Sequence, residues 1–449
     1  MSVATSPPFA PIAPGDTTPG ATTPLATTPG TTSGTAPGLL PWRAARSASL
    51  RALAAGLIGL IGALGVLLYA NTAYRVWFYF SPLTDFFAFR SWAAMLHASA
   101  HATDLYVPAL VQAFLNTEIV RFPHHYPFAY PPSFLLMIYP LGRLPARVGS
   151  ELWMLAGLGL YAGMLAEMPW RRAIAVGLLV LPATVLTTTG GQDGLIFAAF
   201  MAGACRVLPR RPVLAGVLFG LAACKPQFGV LVPVALLAAR EWRAILAAIA
   251  TVLASVLASG LAFGFDMWTR WPLALFGLAD FARESSRLSP LMPSVTANLR
   301  LLHLAPPLIL AGQILAGAVA AGCVWIVWRR GPGRLPAAVL LVGAFLATPY
   351  AFFYDLPILN AGLLAFATDR AARGRRLTRL ELAAFVLALL LPVAMNAIGK
   401  GWLPALPLSL PVLVAVFALV VHRALRPEAA LPLGRAAAGP LDRAAAGPA

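Results

Sequence analysis

The stretch VLAGVLFGLAACKPQFGVLVPVALLAA, residues 213–239, runs for 27 residues with a single charge, Lys225, near its centre. Apolar runs of this length belong in a bilayer, whose hydrocarbon core takes ~20 helical residues to cross. A lysine there is costly unless it is paired, snorkels to the surface or faces a polar cavity. Pro226 follows it and interrupts the run, and a broken helix at membrane depth is tolerated only where its backbone lines a protected polar space. The stretch therefore predicts an all-α polytopic membrane protein with a polar site inside it.

Composition points the same way. The 449 residues are 59% hydrophobic and 11% charged, with a mean hydropathy of +0.77, far from the averages of a soluble domain. The net charge of +17, from 33 basic and 16 acidic residues, would suggest a nucleic-acid partner in a soluble protein. Basic cytoplasmic loops account for it here, and no nucleic acid is expected. Cys205, Cys224 and Cys323 lie in or beside apolar runs with no paired spacing, so neither a disulfide framework nor a zinc site is suggested.

Residues 1–42 are rich in proline and threonine, with repeats such as TTPG and one charge, Asp16. No hydrophobic face can form there, which predicts a disordered cytoplasmic tail. The apolar run that follows, flanked by Arg43, Arg46 and Arg51, has no clear cleavage site and reads as an uncleaved first helix. Sorting the charges between the two sides of the membrane puts 22 of the 33 basic and 7 of the 16 acidic residues on one side, net +15 against +2. That positive-inside bias predicts about 12 crossings of the inner (plasma) membrane, with both termini cytoplasmic. The transmembrane domain spans 43–424, with extracytoplasmic segments at 75–130 and 265–305 and a cytoplasmic tail at 425–449. An even number of crossings requires one apolar segment not to span; 131–145, short and containing Pro140, reads as re-entrant. The stretch LTDFFAFRSWAAMLHASAHA (83–102) mixes aromatics with Arg90, His97 and His101 and reads as a helix lying in the interface.

The charge sorting gathers several polar motifs on the outer side. Asp85 admits two readings, a helix-capping or first-turn carboxylate and a functional one. Asp104 can likewise cap or turn the chain. His97, His101 and Asp104 have a spacing compatible with a metal, but no glutamate sits between the histidines as in HExxH, and no metal is expected. GGQDG (190–194) carries Gln192 and Asp193 in what reads as a turn at a membrane mouth. TPYAFFYDLP (348–357) sets Asp355 among aromatics, and Lys225 suits the phosphate of an anionic lipid. Walker A, GxGxxG, GxSxG and HExxH patterns are all missing from the sequence, so an ATP-driven pump or an enzyme with a soluble cofactor is unsupported.

Read in order, TDFFAFRSWAAMLHASAHATDLY, FAYPPSFLLMIYPLGRLP, GGQDGLIFAAFMAGA, GVLFGLAACKPQFGVLVPVALLAAREWRA and TPYAFFYDLPIL resemble glycosyltransferase family 87. That family shows an early aspartate with a downstream DLY, then YPP, GQ, a KP after a glycine, and a late PY…YD. The resemblance covers about residues 50–420. Asp193 is a departure, since the family more often has an apolar or Asn-containing continuation after GQ. The resemblance implies a GT-C type fold and transfer of a hexose, mannose above all, or a pentose. The donor would be a polyprenyl-phosphate sugar, and the acceptor a cell-envelope lipid or glycan on the outer face, with no cofactor.

It makes Asp85 the base that takes the acceptor's proton in a single inverting displacement. Arg90 and Lys225 are then candidates for the donor phosphate, and Asp104, Tyr106, Tyr130, Gln192, Gln227, Tyr350 and Asp355 for hydrogen bonds to the sugars. The rival reading is a lipid-linked-sugar flippase or transporter, whose broken helices and intramembrane lysine would look alike. A transporter favours two related halves, and the sequence shows none.

Overall fold

The computed structural model describes residues 59, 62–71, 74, 84–118, 127–165, 181–284 and 286–426. The expected tail at 1–42, most of the first apolar helix and residues 427–449 lie outside the described residues. Among those described, all regular structure is helical. Helix α1 (Thr84–Ala98), a 3-10 turn (Ala102–Tyr106) and α2 (Pro108–Glu118) come first. Next are α3 (Pro132–Ile138), which tightens into a 3-10 turn (Tyr139–Arg143), and α4 (Ala146–Leu165). A tight turn joins α5 (Pro182–Thr189) to α6 (Gly194–Val207).

The lysine-bearing run is indeed broken, into α7 (Pro212–Ala222), a helical turn (Pro226–Gly229) and α8 (Val232–Ala238). Then follow α9 (Trp242–Phe263), α10 (Asp266–Glu284), α11 (Val295–Leu301), α12 (Pro306–Trp328) and α13 (Arg334–Ala347). After a 3-10 turn (Phe353–Asp355) come α14 (Pro357–Ala372), α15 (Arg379–Gly399) and α16 (Ser409–Leu425).

Proline sets many of these starts. Helices α3, α5, α7, α8, α12 and α14 and the turn at Pro226 all carry it in the first or second position, and none has a side-chain cap. The fixed φ of proline suits a helix start, and its missing N–H is one that the first turn would leave unbonded. Among the described residues, three helices, α9, α12 and α15, are long and apolar enough to cross a membrane. Leu246, Leu253, Leu257 and Leu261 of α9 are exposed, the oily exterior expected where lipid is the solvent.

Helix α13 is sheathed on all sides: Ala338, Val339, Leu340, Val342 and Phe345 have no exposed surface, and it packs against α12, α14 and α16. Helices α7 and α9 approach closely because Gly216 and Gly220 leave room. A Cβ on Gly216 would lie 2.2 Å from the Ala244 carbonyl oxygen, and one on Gly220 would lie 2.6 Å from Thr251 Cβ. Such small residues one turn apart let helix backbones meet in membranes.

Two expectations change. Helix α1 is not an interfacial helix with a wet face, because Phe86, Ala88, Phe89, Ser91, Trp92 and Ala93 are all buried in a second, aromatic-rich core with Phe134, Trp153 and Phe197. It also ends at Ala98, so His101 does not share a helical face with His97. The other change is one of detail: the segment 265–305, expected on the extracytoplasmic side, is mainly helical, with α10, a 3-10 turn and α11.

The α7–α9 contact makes a prediction. Gly216→Val should destabilise the protein by about 1–3 kcal/mol, because a backbone carbonyl cannot move aside, whereas Gly159→Ala, with open space around it, should leave the melting temperature in detergent unchanged or slightly raised.

Candidate active site

Three distant pieces of chain meet around Lys225. The first is the α5–α6 turn, in which Gly191 takes a left-handed conformation at φ 71° that favours glycine. Gly194 then opens α6 where a Cβ would fall 1.9 Å from the Tyr354 carbonyl oxygen, so the missing side chain lets the 353–355 turn seat itself there. Thr187 Oγ1 donates to the same carbonyl at 2.9 Å. The second piece is this 353–355 turn, and the third is the break between α7 and Pro226.

Where they meet, Lys225 Nζ donates to Asp193 Oδ1 at 2.6 Å and to Asp355 Oδ1 at 2.7 Å. The side chains of Lys225, Asp193 and Asp355 are only 4%, 0% and 2% exposed. Asp355 Oδ2 accepts the Phe352 N–H at 2.9 Å. The ammonium lies 5.2 Å from the centre of the Tyr354 ring, 5.3 Å from that of Phe197 and 6.0 Å from that of Tyr130, distances at which aromatic faces attract a cation. The Tyr130 phenol stands beside the Asp193 carboxylate, whose Oδ2 meets no donor at hydrogen-bonding geometry among the described residues.

Asp85 borders the same turn. It sits in the first turn of α1, where the helix dipole favours a carboxylate, and its N–H donates to the Gly190 carbonyl at 3.3 Å. Its side chain is half-buried and reaches Gly190, where a Cβ would meet Oδ2 at 3.7 Å. Tyr354 is the common neighbour of Tyr130, Asp355, Tyr350 and Asp85. Trp153 Nε1 holds the turn from behind through the Gly191 carbonyl at 3.0 Å. Gln192 Oε1 is buried in the turn with no hydrogen-bond partner among the described residues.

Of the residues singled out from sequence, Asp85, Tyr130, Gln192, Lys225, Tyr350 and Asp355 are thus brought together, and Gln227 lies half-buried in the turn after Lys225. Tyr106 stands one layer back, donating to the Tyr130 carbonyl at 3.0 Å. Asp104 takes the Ser99 hydroxyl at 2.7 Å beside its own 3-10 turn, which is the turn-forming reading. Arg90 Nε donates to the Leu144 carbonyl at 3.1 Å, and five residues along α1 turn it roughly 140° away from Asp85. His97 Nε2 lies 3.1 Å from the Tyr139 carbonyl oxygen and His101 is exposed.

Lys225, a candidate for the donor phosphate, is clasped by two carboxylates whose charges offset its own. Asp193 and Tyr354 are the residues that sequence reading passed over. Asp193 had a signal: a lysine inside an apolar run needs a carboxylate, and GGQDG offers one.

Residues 128–349 match glycosyltransferase family 87. No curated protein and no solved structure matches the chain. The family-87 region contains Tyr130, the GGQD turn and Lys225, and it ends one residue before Tyr350; Asp85 and Asp355 flank it. Together with apolar helices able to cross a bilayer, the match supports a membrane glycosyltransferase. Asp193 and Asp355 therefore tie a residue inside the family-87 region to one outside it, through Lys225.

This triad makes a prediction about stability. Lys225→Met strands two buried carboxylates and should cost about 3–5 kcal/mol, while Lys225→Met combined with Asp193→Asn and Asp355→Asn should recover most of that loss in thermal or denaturant melts in detergent.

Proposed function

We propose that the protein transfers a hexose, mannose above all, or a pentose from a polyprenyl-phosphate donor to a cell-envelope lipid or glycan. In this reading it is a GT-C type enzyme of about 12 transmembrane helices, working on the outer face of the plasma membrane. The observation that carries the reading is the half-buried Asp85 carboxylate set against the Gly190 turn, beside Tyr354 and the Lys225 triad.

The chemistry asks for a base there. Asp85 takes the proton of the acceptor hydroxyl as its oxygen bonds to the sugar C1 from the side opposite the phosphate. The C1–O bond to the phosphate breaks, its electron pair leaves with the phosphate, and the anomeric centre is inverted. General base catalysis of this kind contributes ~10²–10⁴-fold. Tyr130, Tyr350, Gln192 and Gln227 supply hydrogen bonds to the sugars and to the departing phosphate. The triad holds the two turns and the helix break in register, so that these groups face one space; this is positioning, which sets how much each contact contributes. A monophosphate donor has no pyrophosphate needing a divalent ion, and the scheme uses none.

The test is transfer in nanodiscs from labelled polyprenyl-phosphate mannose, and from a panel of other polyprenyl-phosphate sugars, to envelope lipid extract. Wild type should transfer label, and a folded Asp85→Asn variant should lose ~10²-fold or more. Undiminished transfer by the variant would remove Asp85 from the role of base. No transfer from any donor, with labelled lipid crossing the bilayer of liposomes instead, would replace the scheme with a flippase.

A further inference from the structure

The Lys225 triad sits at the start of α6; at the other end of that helix lies a site of the opposite character. The 14 residues of α6 separate the two by about 20 Å. There, between α4, α6, α13 and α14, a cavity of ≈ 420 Å³ is lined by Arg206, Arg210, Arg211 and Arg334, with Leu341 and Leu364 among its apolar walls. Among the described residues, no acidic side chain lines it.

The four arginines are not alike. Arg206 donates to the carbonyls of Gly163 and Met164 and so ties the end of α6 to α4. Arg210, Arg211 and Arg334 are exposed, and each is without an ion pair or side-chain hydrogen bond among the described residues. Guanidinium groups gathered at one mouth repel one another unless an anion joins them, and their planar forks suit phosphate oxygens.

The walls narrow the choice. A free phosphate ion has no use for a hollow faced with leucine and alanine, and a purely apolar ligand has none for an arginine rim. A molecule that carries a phosphate on hydrocarbon satisfies both, and basic pockets between membrane helices are known to take such headgroups. The charge sorting of the sequence also assigns the Arg206–Arg211 and Arg329–Arg334 connections to the cytoplasmic side, where anionic lipids attract juxtamembrane arginines.

We propose that this cavity binds an anionic phospholipid, its phosphate on Arg210, Arg211 and Arg334 and the upper part of its acyl chains against Leu341 and Leu364. The site is separate from the triad and does not depend on the glycosyl-transfer reading. A lipid held there would clamp α6 and α13 at the end remote from the triad.

Native mass spectrometry of the full chain offered equimolar palmitoyl-oleoyl phosphatidylglycerol and phosphatidylcholine tests it. Wild type should retain phosphatidylglycerol preferentially, and R210Q/R334Q should reduce that retention roughly fivefold or more. R243Q/R379Q, which removes two exposed arginines outside the cavity, should not. Arg211→Gln alone should lower retention in the same direction and serves if the double variant folds poorly. Inorganic phosphate at millimolar concentration should fail to displace the lipid. Equal loss in the control variant, no preference for phosphatidylglycerol, or displacement by free phosphate would each overturn the proposal.

Discussion

One ammonium shared by two carboxylates is the constraint around which the polar interior is arranged. Burying an ion costs several kcal/mol even after relaxation, and mutual attraction offsets it only when the geometry is close and the remaining lone pairs are satisfied. At Lys225 the two bonds are short, 2.6 and 2.7 Å, and three aromatic rings surround the cation. The partners lie 32 and 130 residues away along the chain. A slip of either turn by one residue would leave a charge alone in an apolar core. The ion triad therefore acts as a register mark, and the packing of Gly194 against the 353–355 turn is its steric counterpart.

Much of this was readable beforehand, because the physics of membranes leaves few choices. A charge at the centre of a long apolar run, followed by proline, has to mean a broken helix around a polar space, and the structure breaks at Pro226. Ordered motifs sufficed for the family as well. What could not be read was the set of partners. Lys225 suited a phosphate on its own chemistry, and the two carboxylates it meets are distant in sequence. Helix α1 looked interfacial because its aromatics are mixed with polar residues. Its burial is a tertiary fact, set by Gly142, where a Cβ would fall 2.6 Å from the Ala93 backbone, so that the 139–143 turn presses directly on α1. Asp193 was visible as a letter but carried weight only once three segments were brought together.

The family-87 match and the site geometry divide the work between them. The match covers the scaffold from Phe128 to Pro349 and supports glycosyl transfer at a membrane. The flanking residues Asp85 and Asp355 come to that scaffold through contacts, the first through the Gly190 carbonyl and the second through Lys225. A polar site assembled in this way is sensitive to distant packing, because the carboxylates are held by backbone turns and not by rigid neighbours on one helix.

The prolines at the helix starts have a wider meaning. A helix entering a region without water exposes N–H groups that something must satisfy, and soluble proteins commonly station serine, threonine or aspartate there. At its proline starts this chain instead deletes one donor and leaves the position without a capping side chain, whereas α15 keeps a Thr378–Glu381 capping box. Subtraction of that kind keeps oxygen and nitrogen out of the interior. The buried charges of Asp193, Lys225 and Asp355 are then left to join separate segments of chain, a task no backbone turn performs alone.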